Sequence, residues 1–215
     1  METPVVFVSV GRTATPEQET FVRAVEDRLR TEGFIPQTVG RNAFSADAPL
    51  KAVIELLSRS SGAVVIAFER LYFPAGVELR NGSKEVRLGE IKLPTSFNQI
   101  EAAMAYTKGK PLLVIVESGL RSEGLLQTGY DWHVQTVELT LSALATAEFN
   151  GVLASWKEKV ETRGNPDKSI PATPMADLTI GQLVSGLKPT QLWAMLTAFG
   201  ALIATAFALG AKLHL

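Results

Sequence analysis

Three short blocks in this chain are almost wholly apolar, and they restrict the fold more than any other feature. They are Val5-Val6-Phe7-Val8-Ser9-Val10, Ala63-Val64-Val65-Ile66-Ala67-Phe68 and Leu112-Leu113-Val114-Ile115-Val116. A strand with one wet face alternates apolar and polar residues. These do not, so both of their faces must be covered. The covering elements are legible between them. Thr15 and Pro16 form a helix start, with a hydroxyl at the N-cap and proline at the first helical position. Phe21, Val22, Val25 and Leu29 follow at helical spacing, and Gly33 ends the run. Further helices are predicted over 49–60 (Leu50, Val53, Ile54, Leu57), over 97–108, and over 143–160 with Phe149, Leu153 and Trp156 inward. Ile35 to Val39 reads as a second short strand, and His133 to Leu139 as an edge strand. The pattern predicts an α/β fold with a doubly wound, mainly parallel, five-stranded sheet.

One stretch breaks the alternation. Residues 71–94 contain Val77-Glu78-Leu79-Arg80, then Asn81-Gly82, then Ser83 to Leu88. Asn-Gly between alternating residues predicts a β-hairpin inserted after the third strand, beside the expected ligand cleft. It reads equally as a lid, an assembly surface or a decoration.

The C-terminal region differs in kind. Pro189 to Ala211 carries no charged residue, and its large apolar side chains fall on all helical faces. A run of about 20 such residues matches a hydrocarbon core of roughly 30 Å. Trp193 lies near one end, Lys188 and Lys212 bracket the run, and Gly200, Ala204 and Ala208 share one stripe. The expected organisation is an α/β domain over 1–163, a linker over 164–188 and a transmembrane helix over 189–213. Within the linker, a short amphipathic helix capped by Asp177 is consistent with Leu178, Ile180, Leu183 and Leu187. Met1-Glu2-Thr3-Pro4 runs straight into the first strand without a signal-peptide pattern. The expectation is therefore a single-pass membrane protein with its N-terminal domain in the cytoplasm, of bacterial inner-membrane type.

Composition narrows the chemistry. With no cysteine and only His133 and His214, neither a thiolate site nor an imidazole-based metal site is expected. A net charge of −1, with both signs interspersed, lacks the basic stripe of a nucleic-acid binder. No nucleic-acid partner, metal or cofactor is expected.

Ligands of doubly wound sheets sit at the carboxyl ends of the strands, near the point where strand order reverses. That rule selects Ser9, Gly11 and Arg12 after the first strand, and Gly40, Arg41 and Asn42 after the second. Glu69 and Arg70 follow the third strand, and Glu117 and Ser118 the fourth. Arg12, Arg41 and Arg70 are candidates for holding phosphate. Tyr130 and Trp132, in Gly129-Tyr130-Asp131-Trp132-His133, are candidates either for stacking on a base or for packing the sheet edge. In the helix over 97–108, Ile100, Ala103, Met104 and Thr107 are expected to face the sheet. Glu101 is then set toward the cleft rim, with Asn98 one turn earlier. A carboxylate there either acts at an anomeric carbon, binds ribose hydroxyls, or merely complements a helix N-terminus.

The sequence Glu101-Ala102-Ala103-Met104-Ala105-Tyr106-Thr107-Lys108-Gly109-Lys110-Pro111, leading into a strand, resembles the catalytic-glutamate helix of nucleoside 2-deoxyribosyltransferases. It is also similar to the matching segment of bacterial TIR-like nucleotide-binding domains, whose relatives cleave NAD at the nicotinamide ribosyl bond. Both families have a flavodoxin-like sheet. The resemblance implies a catalytic Glu101, assisted by Asn98, in a nucleotide cleft. The chain departs from the deoxyribosyltransferases in two places. Ser9-Val10-Gly11-Arg12 has no tyrosine after the first strand, and Glu69-Arg70 stands where those enzymes have an aspartate.

Two functions follow as expectations. One is a membrane-anchored nucleotide-binding effector that cleaves an N-glycosidic bond of NAD or a nucleotide, in bacterial antiviral or stress signalling. The other is a non-catalytic nucleotide sensor, or a self-assembling domain, whose clustered helices perturb the membrane. Either implies a homo-oligomer and a nucleotide or NAD-like ligand.

Overall fold

A computed structural model of the chain describes residues 3–164. The linker, the short amphipathic helix and the transmembrane helix expected over 164–213 thus lie, apart from Gly164, outside the described residues. Among the described residues no helix is long and apolar enough to cross a membrane.

The elements follow the alternation in the sequence. They are β1 (Val5–Val10), α1 (Pro16–Thr31), β2 (Ile35–Gln37), α2 (Pro49–Arg59), β3 (Gly62–Ala67), four short strands of an insertion, α3 (Ser96–Thr107), β8 (Leu112–Glu117), β9 (His133–Val137) and α4 (Ala147–Gly164). The insertion strands are β4 (Leu71–Phe73), β5 (Gly76–Glu78), β6 (Val86–Leu88) and β7 (Ile91–Leu93). Five strands form one parallel sheet in the order β2-β1-β3-β8-β9. This is the strand order of a flavodoxin-like fold, and strand order reverses between β1 and β3.

The doubly apolar strands serve two cores. Val6, Val8, Val64, Ile66, Leu113 and Ile115 pack beneath α1 and α4 with Phe21, Phe149 and Trp156. Phe7, Ala63, Val65, Val114 and Val116 pack on the other face with Val53, Leu57, Ala102 and Ala105 of α2 and α3. Each large aliphatic side chain taken from water contributes about 1.5–3 kcal/mol, and successive residues of β3 alternate between the two layers, so a polar substitution at Val64 or Ile66 strikes one core and at Val65 the other. Thr15 Oγ1 accepts from the Gln18 N–H at 3.2 Å, capping α1 above Pro16. At the far end, Gly33 turns the chain with φ +89°. Gly62 lies under α4, where an added Cβ would come 2.7 Å from Val160 Cγ2.

Three details differ from expectation. The fourth helix begins at Ala147, because Leu141–Ala145 forms a separate 3-10 turn. The insertion is two nested antiparallel ribbons, β4 with β7 and β5 with β6. Its turn is no two-residue Asn-Gly loop. Residues 79–85 connect β5 to β6, with Leu79 (φ +52°) and Asn81 (φ +63°) both left-handed. Successive turns absorb the extra length: Gly82 N–H donates to Leu79 O at 2.9 Å, and Asn81 N–H to Glu85 Oε2 at 2.7 Å. Third, the buried sheet-facing residues of α3 are Asn98, Ala102 and Ala105; Met104 packs partly buried on the same core, as expected, while Ile100 is 41 % exposed and Thr107 is exposed. A helix seated closely on the middle of a sheet favours small side chains at the contact, so the larger Ile100 lies outside the seam.

Candidate functional site at the carboxyl ends of β1 and β3

The start of α3 is drawn onto the switch point by contacts that the sequence spells out locally. Thr95 caps the helix, its Oγ1 accepting from Phe97 N–H at 3.4 Å. Gly11 lies close to Thr95, since a Cβ on it would meet Thr95 Cγ2 at 3.1 Å. One turn on, Asn98 is 1 % exposed and donates from Nδ2 to Ser9 Oγ at 3.1 Å and to Ile66 O at 3.3 Å. One amide thus ties α3 to β1 and β3.

Glu101 stands beside that amide, partly buried. Burial pushes its carboxyl above the ordinary carboxylate range, and a hydrogen bond from Ser9 only partly opposes this. Ser9 is fully buried. Its oxygen accepts from Asn98 Nδ2, which leaves the hydroxyl proton for another acceptor, and Glu101 is a neighbour. The result is a relay from amide to hydroxyl to carboxylate at the switch point. A carboxyl group in such surroundings holds a proton more readily than one in water, and once ionised it is poorly solvated and reactive.

A second network stiffens the rim. Gln18, 5 % exposed, accepts from Ala14 N–H at 2.8 Å and donates to Glu69 O at 3.2 Å. Glu117 Oε2 accepts from Glu69 N–H at 2.7 Å. Lys92 Nζ, from the insertion, pairs with Glu69 Oε2 at 3.2 Å. Gln18 and Lys92 did not stand out in the sequence as site residues. Gln18 had a signal, because Thr15-Pro16-Glu17-Gln18 follows the Thr-x-x-Gln spacing of a capping box. Lys92 had none, since its role comes from how the insertion folds back.

The candidate arginines separate. Arg41 is bidentate to Glu19, at 3.0 and 2.8 Å, and also donates to Glu26 at 3.0 Å. With Arg23 these contacts hold the Glu19 carboxyl down at about 2. The Arg41 charge is therefore balanced along the flank of α1. Arg12 and Arg70 are exposed, and neither side chain has a hydrogen-bond or ion-pair partner among the described residues. They follow β1 and β3, whose ends are adjacent (Val10 pairs with Ile66).

Tyr130 and Trp132 are not brought to this place. They precede β9, whose first residue pairs with Leu113 near the start of β8, so they stand at the amino ends of the strands. There Tyr130 stacks on Trp132 at 4.6 Å, Trp132 meets the Tyr106 edge at 5.1 Å, and Trp132 Nε1 donates to Leu125 O at 2.9 Å. Parallel strands put a loop before a strand and a loop after it at opposite poles. The aromatic cluster pins the C-terminal end of α3.

Two clefts lie away from Glu101. One of about 260 Å³ runs between α4 and the amino ends of β8 and β9. The other, of about 330 Å³, lies between α2 and the Val39–Ser45 loop beyond β2. Among the described residues no group of three or more His, Cys, Asp or Glu is placed to hold a metal ion.

Strand order defines an α/β protein of flavodoxin-like topology, with a partly buried carboxyl at the carboxyl ends of its central strands. No protein-family model and no curated protein sequence matches the chain. Among solved structures it is similar to the CMP N-glycosidase BcmB of Clostridium botulinum. The identity is 14 %, covering 70 % of this chain and 98 % of the other, with a TM-score of 0.43. It is also similar to FerB, a flavoenzyme NAD(P)H:(acceptor) oxidoreductase of Paracoccus denitrificans. That identity is 16 %, covering 76 % and 99 %, with a TM-score of 0.35. Both are similarities of overall shape at low TM-score.

Proposed function

We propose that this domain binds a nucleotide or NAD-like molecule over the ends of β1 and β3 and cleaves its N-glycosidic bond at Glu101. The observation that carries the reading is the partly buried Glu101 carboxyl, one turn along α3 from the buried Asn98 amide that donates to Ser9 Oγ at 3.1 Å. The ionised carboxylate attacks the anomeric carbon. The C–N bond breaks, its electron pair leaves with the base, and the base takes up a proton. Water then attacks the same carbon, releases the free sugar and restores the carboxylate. Arg12 and Arg70, exposed and unpaired among the described residues, hold phosphate. Arg41 serves α1 instead. Because the carboxyl is raised by burial, activity rises with pH above the usual carboxylate range near 4.3.

The test incubates the full chain and Glu101→Gln with NAD, AMP, CMP and unphosphorylated nucleosides, and measures released base by chromatography. Release by the parent alone supports the reading, and release by both variants overturns it.

The uncharged stretch Pro189 to Ala211 supports a membrane anchor over 189–213, with the domain on the cytoplasmic side. On that reading the protein is a homo-oligomeric, membrane-bound effector, and its resemblance to TIR-like domains suggests antiviral or stress signalling. One observation favours a second reading, a sensor that assembles without chemistry. Leu71, Tyr72, Phe73, Val77, Leu79 and Val86 of the insertion are all 44–60 % exposed, and two-stranded ribbons gain stability when covered. Ligand-dependent assembly that Glu101→Gln leaves intact, with no base released by the parent, selects this reading over the first.

A further inference from the structure

The proposed reaction needs a surface for the base, and Tyr130 and Trp132 lie at the wrong pole of the sheet to provide it. Helix α3 supplies another. At 3.6 residues per turn, Phe97 and Glu101 are about 40° apart around the axis and one turn apart along it. They lie on one flank of the buried seam of Asn98, Ala102 and Ala105. The opposite flank is occupied. Gln99 donates to Glu123 O and accepts from Leu125 N–H at 3.1 Å, fixing the loop after β8. The Glu101 flank therefore faces the end of β1, where Asn98 reaches Ser9 and Thr95 approaches Gly11, the residue after the strand.

Helical side chains lean toward the preceding turn, so the Glu101 carboxyl lies beside the turn that carries Phe97. Phe97 is 50 % exposed. Its backbone is fixed by the Thr95 cap, so the ring is held on a rigid element. Tyr72, another exposed aromatic, is occupied with Glu90 in the insertion at 2.6 Å. Phe44 lies in the loop beyond β2, alongside α2.

We infer that Phe97 is the stacking platform for the nucleobase whose glycosidic bond lies at Glu101. This rests on the nucleotide reading above and deepens it. A phenyl face accepts any base and makes no hydrogen bond to its edge, so Phe97 confers affinity for the base with little preference between purine and pyrimidine.

The experiment titrates the full chain, Phe97→Ala and Phe97→Trp with AMP, CMP and ribose 5-phosphate. It follows calorimetric affinity and the proton shifts of the base, and records base release alongside. Phe97→Ala is expected to weaken AMP and CMP roughly 5- to 150-fold, the loss of one stacked ring. Phe97→Trp retains binding, and ribose 5-phosphate is unaffected. The base protons move upfield on binding the parent and not on binding the alanine variant. Unchanged AMP and CMP affinity in Phe97→Ala overturns the inference, as does an equal loss for ribose 5-phosphate. Base release that needs Glu101 and ignores Phe97 overturns the inference alone. Phe97-dependent binding without release overturns the catalytic reading and leaves the inference standing. No saturable binding of AMP or CMP by the parent overturns both.

Discussion

Asn98→Ala tests whether the relay is built as described. The side chain is 1 % exposed and makes two hydrogen bonds, at 3.1 Å to Ser9 Oγ and 3.3 Å to Ile66 O. Two such bonds are worth about 1–3 kcal/mol net, and leaving the buried Ser9 oxygen without its donor brings the expected loss to about 2–4 kcal/mol. For a domain of this size that is a fall in Tm of roughly 5–15 °C. Urea titration gives the free energy directly, and an unchanged m-value shows that the unfolded reference state has not moved. The variant should also lose the orientation of Ser9, and with it the part of the relay that favours ionised Glu101. The acid limb of base release should therefore shift to higher pH. A Tm within about 2 °C of the parent would refute the reasoning, because an amide with those bonds at that burial cannot be removed so cheaply.

Three further outcomes are expected. Gly62→Ala puts a Cβ 2.7 Å from Val160 Cγ2 and 3.0 Å from Trp156 Cζ2, so thermal melts should show a loss of about 1–3 kcal/mol. Arg41→Ala removes the partner that holds Glu19 near 2. That pairing stabilises the fold above the usual carboxylate range and is lost as the pH falls, so parent and variant should differ in Tm at neutral pH and converge toward about pH 2. Glu101 has the opposite sign. Burial raises its folded value, so the stabilising protonated form is complete below the unfolded range and is lost as the pH rises through the folded value. Glu101→Gln should therefore melt above the parent near about pH 7.5, with the gap closing near about pH 4.

The sheet was legible because Val5 to Val10, Ala63 to Phe68 and Leu112 to Val116 are apolar on both faces, which only a twice-covered parallel sheet satisfies. The shared carboxyl end of β1 and β3 followed, since the strands are parallel. What sequence periodicity misread was contact of a different kind. On α3 it assigned Ile100 to the sheet, whereas the close approach of helix to sheet is made by Ala102, Ala105 and the hydrogen-bonded Asn98. Apolarity ranks Ile100 first, but a tight seam selects for volume. The strand-end rule selects Arg41 but takes no account of Glu19 and Glu26 arriving from α1. Residue type alone makes Tyr130 and Trp132 stacking candidates, and only the parallel pairing of β9 assigns them to the other pole. Lys92 enters through the outer ribbon of the insertion, β4 with β7, for which there is no local turn signal; Asn81-Gly82 marks only the inner β5–β6 hairpin.

The most direct test of the central claim compares turnover with binding in Glu101→Gln, using whichever nucleotide the parent hydrolyses. The account predicts that base release falls on the order of 10⁴-fold or more, as for loss of a nucleophile, while affinity for the intact nucleotide stays within about threefold, since an uncharged amide keeps the shape of the site. Release that persists at the parent rate with affinity unchanged would show that the Glu101 carboxyl is not where the bond is broken.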